Sequence, residues 1–295
     1  MKYVKVGIIM NNISIGRYIP YNSKIHRLDP RLKLFAMVLF MVMIFLRFGG
    51  AEANYMDFII YGVIGAVILI IMAISHVKLS MLFKQLKSLW FLVLILFVFN
   101  LIMPNNGPYF LIFNTIKIYH KAIYDTAYIF IRLLLMISLT MILTSTTTPL
   151  DLTYAIEWYL LPFKIIKVPT HEIAMTISIA LRFIPTLLDE TDRIMKAQAS
   201  RGVDFQNGKF KEKVRAIISL IVPLLVSAFQ RSEELANAME ARGYNPGAKR
   251  TRYRMLKWKM LDTFALILTL AFFGLILYMA IAHIDIVALI SSIVG

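Results

Sequence analysis

The sequence predicts an all-α membrane protein of about five transmembrane helices, with a cytoplasmic domain of long kinked helices inserted between the last two. Three observations predict it. Hydrophobic residues make up 59% of the 295-residue chain and charged residues 17%, against roughly 45–50% and about 25% in ordinary soluble domains. Uncharged apolar runs recur that approach the roughly 20 residues a helix needs to cross about 30 Å of hydrocarbon. The basic residues gather between particular runs, as in the cytoplasmic loops of multi-pass proteins.

These numbers also exclude. High hydrophobicity excludes a disordered chain. With no cysteine, disulfide scaffolds, zinc fingers and iron–sulfur sites are excluded too. A net charge of +15 suits either nucleic acid or the anionic cytoplasmic face of a membrane. Several spans favour the membrane, so no nucleic-acid partner is expected. Residues 1–33 show no cleavable signal peptide, only a basic cluster without a long apolar stretch. Met10 is an alternative start, residues 1–9 then being an extension without a role.

Taken in order, the first span is expected at about 31–51, although its uncharged run, Leu34 to Leu46, has only 13 residues between Lys33 and Arg47. Long basic side chains can snorkel from such ends. Phe58 to Ser75 is the second. The third is about 88–103, ended by Pro104-Asn105-Asn106-Gly107-Pro108. Thr126 to Leu150 is the fourth and contains one charge, Arg132, about 10 Å deep, where it can snorkel or pair with another subunit. Thr263 to Ala282 is the last. A 15-residue run, Ala216 to Gln230, contains Pro223. It reaches only about 22 Å, and it is read as an interfacial helix rather than a span.

Charge then orients the chain. Residues 1–33 carry seven Lys or Arg against Asp29 alone, and residues 151–260 carry 18 against 11 Asp or Glu. Both are placed inside and the C-terminus outside. The chain thus divides into a cytoplasmic N-terminal segment (1–33), four transmembrane helices (34–148), cytoplasmic helices (149–260), a fifth transmembrane helix (261–283) and a short tail (284–295).

Within the insertion, apolar residues recur at helical spacing and strand patterns are absent. Three helices are expected: about 151–160 with Asp151 as N-cap, about 170–201 with Thr170 as N-cap, and about 209–242. Pro185 and Pro223 should kink the two long ones. Their ends repeat. Ala197-Gln198-Ala199-Ser200-Arg201-Gly202 aligns with Ala238-Met239-Glu240-Ala241-Arg242-Gly243, the arginines 41 residues apart, with Asp192 and Glu233 each nine residues upstream. Taken singly, each copy reads as an ordinary helix end, with arginine suiting the dipole and glycine just beyond it. Two copies on one side of the membrane read as a plug for two sockets, each arginine offering a rigid fork of donors.

With those residues in view, the chain resembles the transmembrane T component of energy-coupling factor (ECF) transporters. Gly16-Arg17-Tyr18-Ile19-Pro20, then Ser23 to Lys33, is similar to the family's N-terminal signature, and Val222 to Val226 with Arg231 to Tyr244 is similar to its second motif. The resemblance covers about 16–290 and is greatest to the shared module for vitamin uptake. It implies a bacterial cell-membrane protein that binds neither substrate nor ATP. Such a subunit couples two cytoplasmic ATPases, which hold ATP and Mg, to one exchangeable substrate-binding S component. The implied docking residues are Ala199, Ser200, Arg201, Gly202, Ala241, Arg242 and Gly243, with Ser200 where the family commonly has alanine. The role of His26, Arg27, Asp29 and Pro30 is left open by the resemblance; Asp29-Pro30 is suited to cap and start the first span. No cofactor is expected in the chain, and no G-x-x-x-x-G-K-[ST] loop occurs. The 17 methionines suit a surface that receives changing partners, and equally suit lipid.

Two other readings compete. A membrane-bound acyltransferase would use His120 and Asp125 as an H-x-x-x-x-D pair, here in an expected outer loop with no second catalytic cluster. A stand-alone secondary transporter or channel needs ionisable groups deep in spans, and Arg132 is the clear case. His76, His171 and His283 lie near expected membrane boundaries and read as interfacial anchors rather than metal ligands.

Overall fold

In a computed structural model, the structure describes residues 21, 23–46, 55–102, 109–112, 116–166, 169–205, 209–245 and 257–282. The helices are α1 Pro30–Phe45, α2 Tyr55–Ile74, α3 Leu79–Ile102, α4 His120–Thr146, α5 Pro149–Leu160, α6 Thr170–Ser200, α7 Phe210–Ala241 and α8 Met260–Ala282. Strands β1 (Tyr109–Ile112) and β2 (Ile116–Tyr119) form an antiparallel hairpin before α4, with Tyr109 opposite Tyr119. Two compact units divide the chain, the boundary falling early in α5 and again after α7.

In the membrane unit α4 is central. It packs on α1, α2 and α3, while α8 packs on α1. The core gathers Phe40, Met43 and Ile44 of α1, Ile60, Tyr61, Ile64, Ile68 and Met72 of α2, and Tyr128, Leu135, Leu139 and Ile142 of α4. Outer faces are apolar as well, as lipid requires. Several hydroxyls inside α4 are turned back on its own backbone: Ser138 donates to Leu134 O at 2.7 Å and Thr144 to Thr140 O at 2.9 Å.

Among the described residues, five helices pass as spans by length and composition if the bent α3 is counted as one: α2, α3, α4, α6 and α8. The total equals the expected one but the membership differs. α1 has 16 residues, about 24 Å, and is too short to pass. The expected span reached residue 51, and residues 47–54 lie outside the described residues. α6 passes although the sequence placed it in the cytoplasm, because its first half is almost uncharged. Its second half carries Asp189, Glu190, Asp192, Arg193 and Lys196. The run 216–230 lies inside α7, which does not pass, in keeping with its rejection as a span.

Several boundaries need correction. α3 begins nine residues before the expected start and contains Lys84 and Lys87. It bends by 51° between Leu79–Lys87 and Leu89–Asn100. α4 begins at His120, six residues early, because the β-hairpin delivers the chain directly into it. Asp151 is not the N-cap of α5. The helix starts at Pro149, and Thr148 Oγ1 accepts the Asp151 N–H at 3.2 Å while donating to Asp151 Oδ2 at 2.8 Å. Thr170 is likewise the first helical residue, after Pro169. Arg132 is engaged within the chain: its Nε donates to Ile44 O and its Nη2 to Phe45 O, each at 3.3 Å.

Candidate functional site: two capped helix ends and a buried polar knot

α6 and α7 are long, about 46 and 48 Å by their 31 and 32 residues, and they pack on each other. Pro185 and Pro223 lie inside them without ending them. Glu190 Oε2 of α6 meets Arg231 Nη2 of α7 at 3.8 Å. These two positions are also 41 residues apart, so they are equivalent in the repeat. Arg201 and Arg242 each follow their member of the bridge by 11 residues, about 16 Å of helix. The repeat therefore builds a pseudo-symmetric pair whose two arginine ends lie equally far from the meeting point.

The two ends are the same structure. Arg201 caps α6, Gly202 has φ +89°, its N–H donates to Ala199 O at 3.0 Å, and Val203 N donates to Gln198 O at 3.1 Å. Arg242 caps α7, Gly243 has φ +70°, its N–H donates to Glu240 O at 2.8 Å, and Tyr244 N donates to Met239 O at 2.9 Å. Both are Schellman caps, which return the last carbonyls to the backbone and turn the chain sharply away. The two guanidinium groups are left on exposed tips, among small exposed neighbours Ser200 and Ala241, with half-buried Ala199 behind the first. The left-handed φ is what the glycines supply. Nothing lies within 4 Å of a Cβ added at either, so Gly202→Ala or Gly243→Ala should cost only backbone strain, about 1 kcal/mol. Thermal unfolding of the purified variants checks this, with neither change expected to abolish folding.

A feature that the arginine motifs do not signal is an apolar stripe on α7. Ile217, Ile218, Ile221, Val222, Leu225, Val226 and Phe229 are all more than two-fifths exposed. Their i, i+3, i+4 spacing was legible in the sequence as apolar excess, and the structure places it on a face left uncovered in the chain.

The N-terminal motif is brought to a different place. Asp29 caps α1, its carboxylate accepting Arg31 N at 2.9 Å, with Pro30 in the first helical position, as expected. Ser23 Oγ lies 2.7 Å from His26 Nδ1 and accepts the His26 N–H at 3.3 Å, and Arg27 N donates to Ser23 O, so 23–28 is a tight turn. Lys33 Nζ donates to His26 O at 3.2 Å and to Thr146 O at 2.8 Å. Asp29 N donates to Asp262 Oδ1 at 2.9 Å, and Asp262 Oδ2 accepts Lys259 N at 2.7 Å. Asp29, Lys33, Thr146 and Asp262 are all buried.

The histidines singled out in the sequence fall in separate places. His120 and Asp125 fall in α4, not in a loop, and five positions along a helix stand about 140° apart around its axis. His76 sits at φ +54° against the Tyr21 ring, and His171 Nδ1 lies 3.6 Å from the buried Glu157 carboxylate. His283 lies outside the described residues. Among the described residues no group of three or more His, Asp or Glu is placed to hold a metal ion.

Comparison with known proteins supports the family resemblance. A family model described as cobalt transport protein, CbiQ, matches residues 21–253. The energy-coupling factor transporter transmembrane protein EcfT of Bacillus subtilis is 42% identical over 271 residues, covering 92% of this chain and 99% of that protein. The protein of the same name from Listeria innocua is 40% identical over the same shares. That of Streptococcus equi is 42% identical over 259 residues, covering 88% of this chain and 93% of its own.

Proposed function

The chain belongs to the CbiQ cobalt transport protein family, as a T component of ECF transporters, and on that premise we propose that it is the scaffold joining two cytoplasmic ATPases to an exchangeable vitamin-binding S component. The observation that carries the proposal is the pair of matching Schellman-capped ends, each presenting one exposed arginine. Two equivalent tips suit two related partners. A planar fork of donors suits the carboxylates and carbonyls of a groove. Ala199, Ser200 and Ala241 keep the approach open, and Ser200 is as small as the alanine it replaces. Closure of the ATPases on ATP would move the tips relative to each other, and α6 and α7 would carry that motion toward the membrane. ATP and Mg belong to the partners. The N-terminus and the insertion lie in the cytoplasm and the C-terminus outside, which keeps most of the positive charge inside. α6 then lies against the membrane rather than across it. The cargo in this reading is a vitamin or similar micronutrient, as the resemblance of the Gly16 to Pro20 opening to the shared module implies.

The exposed stripe on α7 supplies the surface for the S component, apolar and tolerant of changing partners. Ile221→Asp with Leu225→Asp should reduce retention of the S component, each buried charge costing roughly 2 kcal/mol or more, while both ATPases stay bound. Co-purification of the three partners with the variant measures both.

The proposal itself is tested by co-expressing the chain with the two candidate ATPases of its host and pulling it down in detergent. Both ATPases should follow it in equal amounts. Recovery of neither would remove the scaffold reading, and the chain would then be assayed alone in liposomes as a secondary transporter.

A further inference from the structure

The chain enters the insertion through one neck, after Thr146 at the end of α4, and leaves it through a second, before Met260 at the start of α8. Both necks are bonded to one short stretch of the N-terminal motif. Lys33 holds the first neck through Thr146 O at 2.8 Å. The Asp29 N–H holds the second through Asp262 Oδ1 at 2.9 Å. Asp262 in turn holds its own neck, accepting Lys259 N at 2.7 Å. Lys33 also draws in His26 O at 3.2 Å, so the turn 23–28 is locked to the same ammonium group.

The placement is costly and therefore informative. A lysine ammonium buried beside buried carboxylates is expensive to desolvate, and well-packed apolar residues would serve packing alone at least as well. What apolar residues cannot do is fix the end of one helix and the start of another to a third at defined atoms. Without such ties, a displacement arriving through the insertion would be absorbed by slack in the necks.

We infer that Lys33, Asp29 and Asp262 form a polar knot that clamps the two necks into one rigid mount during the ATP cycle, and that they are positioning residues for coupling. The inference rests on the proposed scaffold function. It gives the His26 to Pro30 stretch a role beyond starting α1.

The chain has no native cysteine, so two spin labels can be placed cleanly. Thr144→Cys near the end of α4 and Leu261→Cys at the start of α8 are both exposed. Their separation is measured by pulsed electron resonance in the full complex with both ATPases and the S component. The vesicles are phosphatidylethanolamine with phosphatidylglycerol, with and without Mg-ATP. The wild-type distribution should be narrow and unchanged by nucleotide. In Asp262→Asn, which keeps an acceptor oxygen but loses the charge, it should shift or broaden by about 2 Å or more only when Mg-ATP is present. Lys33→Met should do the same more strongly. A wild-type distance that moves with nucleotide overturns the rigid mount. So do variant distributions equal to wild type, broadening that is independent of nucleotide, and failure of both variants to assemble, which would assign the knot to folding. Absence of the ATPases from the wild-type complex would instead be a failure of the scaffold reading, visible before any variant is compared.

Discussion

A chain carrying both Arg201→Glu and Arg242→Glu is expected to insert normally, to retain neither ATPase on purification, and to support no ATP-driven uptake. The folding half of this expectation follows from the caps. The bonds that end α6 and α7 run between backbone atoms, from Gly202 to Ala199 and from Gly243 to Glu240, and the exposed arginine side chains contribute nothing to them. A glutamate at a helix C-terminus opposes the dipole by about 0.3–1 kcal/mol, small against the stability of the whole. The docking half follows from charge and geometry. Reversing a charge seated in a complementary groove weakens binding by roughly 30-fold or more. The two ends share one scaffold, so each raises the effective concentration of the other, and the double change should exceed either single change by far. Arg201→Lys and Arg242→Lys should fall between wild type and glutamate, because lysine keeps the charge but lacks the planar fork. The measurements are ATPase recovery in detergent and vitamin uptake by cells depending on the variant. Full recovery and normal uptake by the double variant would rule out these tips as the docking residues.

These tips were legible because cap chemistry is local. The expected limits of the two long helices, 170–201 and 209–242, fall within a residue of Thr170–Ser200 and Phe210–Ala241, since arginine and glycine at an end state the cap within three positions. Asp29-Pro30 was legible for the same reason. Local reading failed where two local signals compete. Asp151 has the right chemistry for an N-cap, but Thr148 with Pro149 begins the helix earlier and leaves Asp151 inside it. The β-hairpin was missed because Tyr109–Ile112 is apolar throughout and the alternation Ile116-Lys117-Ile118 is too short to signal a strand by period. The long-range ties were beyond reach by spacing. Asp29 meets Asp262 across 233 residues, and no periodicity links positions so far apart. The Glu190–Arg231 contact is an intermediate case. The 41-residue repeat contains it, but the repeat was matched at Asp192 and Glu233, where like charges signal equivalence and not contact.

The second large effect is expected at the far end of α1. Arg132→Leu combined with Tyr61→Phe should destabilise the membrane unit by more than the sum of the single changes. Ile44 O accepts from Tyr61 Oη at 2.7 Å and from Arg132 Nε at 3.3 Å, while Phe45 O accepts from Arg132 Nη2 at 3.3 Å. Either side chain alone leaves Ile44 O a donor, so Tyr61→Phe should be mild and Arg132→Leu should cost only the contact to Phe45 O. Together they strip the side-chain donors from the last two carbonyls of a helix that is too short to cross the hydrocarbon. In water such carbonyls would be hydrated, but within a bilayer each buried orphan costs about 1–3 kcal/mol. The aromatic setting adds to the loss, since the guanidinium carbon stands 4.6 Å from the Phe45 ring centre and 5.2 Å from that of Tyr128. Tyr61 and Tyr128 also stack at 5.3 Å, and Tyr61→Phe retains that stacking, so the change isolates the hydroxyl. A double-mutant cycle on unfolding in bilayer discs measures the coupling, expected at about 1 kcal/mol or more. Strictly additive, small effects would mean that the end of α1 is reached by water, and that Arg132 sits at the interface rather than within the membrane. A large coupling would make Arg132 what allows a 16-residue helix to end inside the bilayer. The charge that most suggested a transport pathway in the sequence would then be a structural cap.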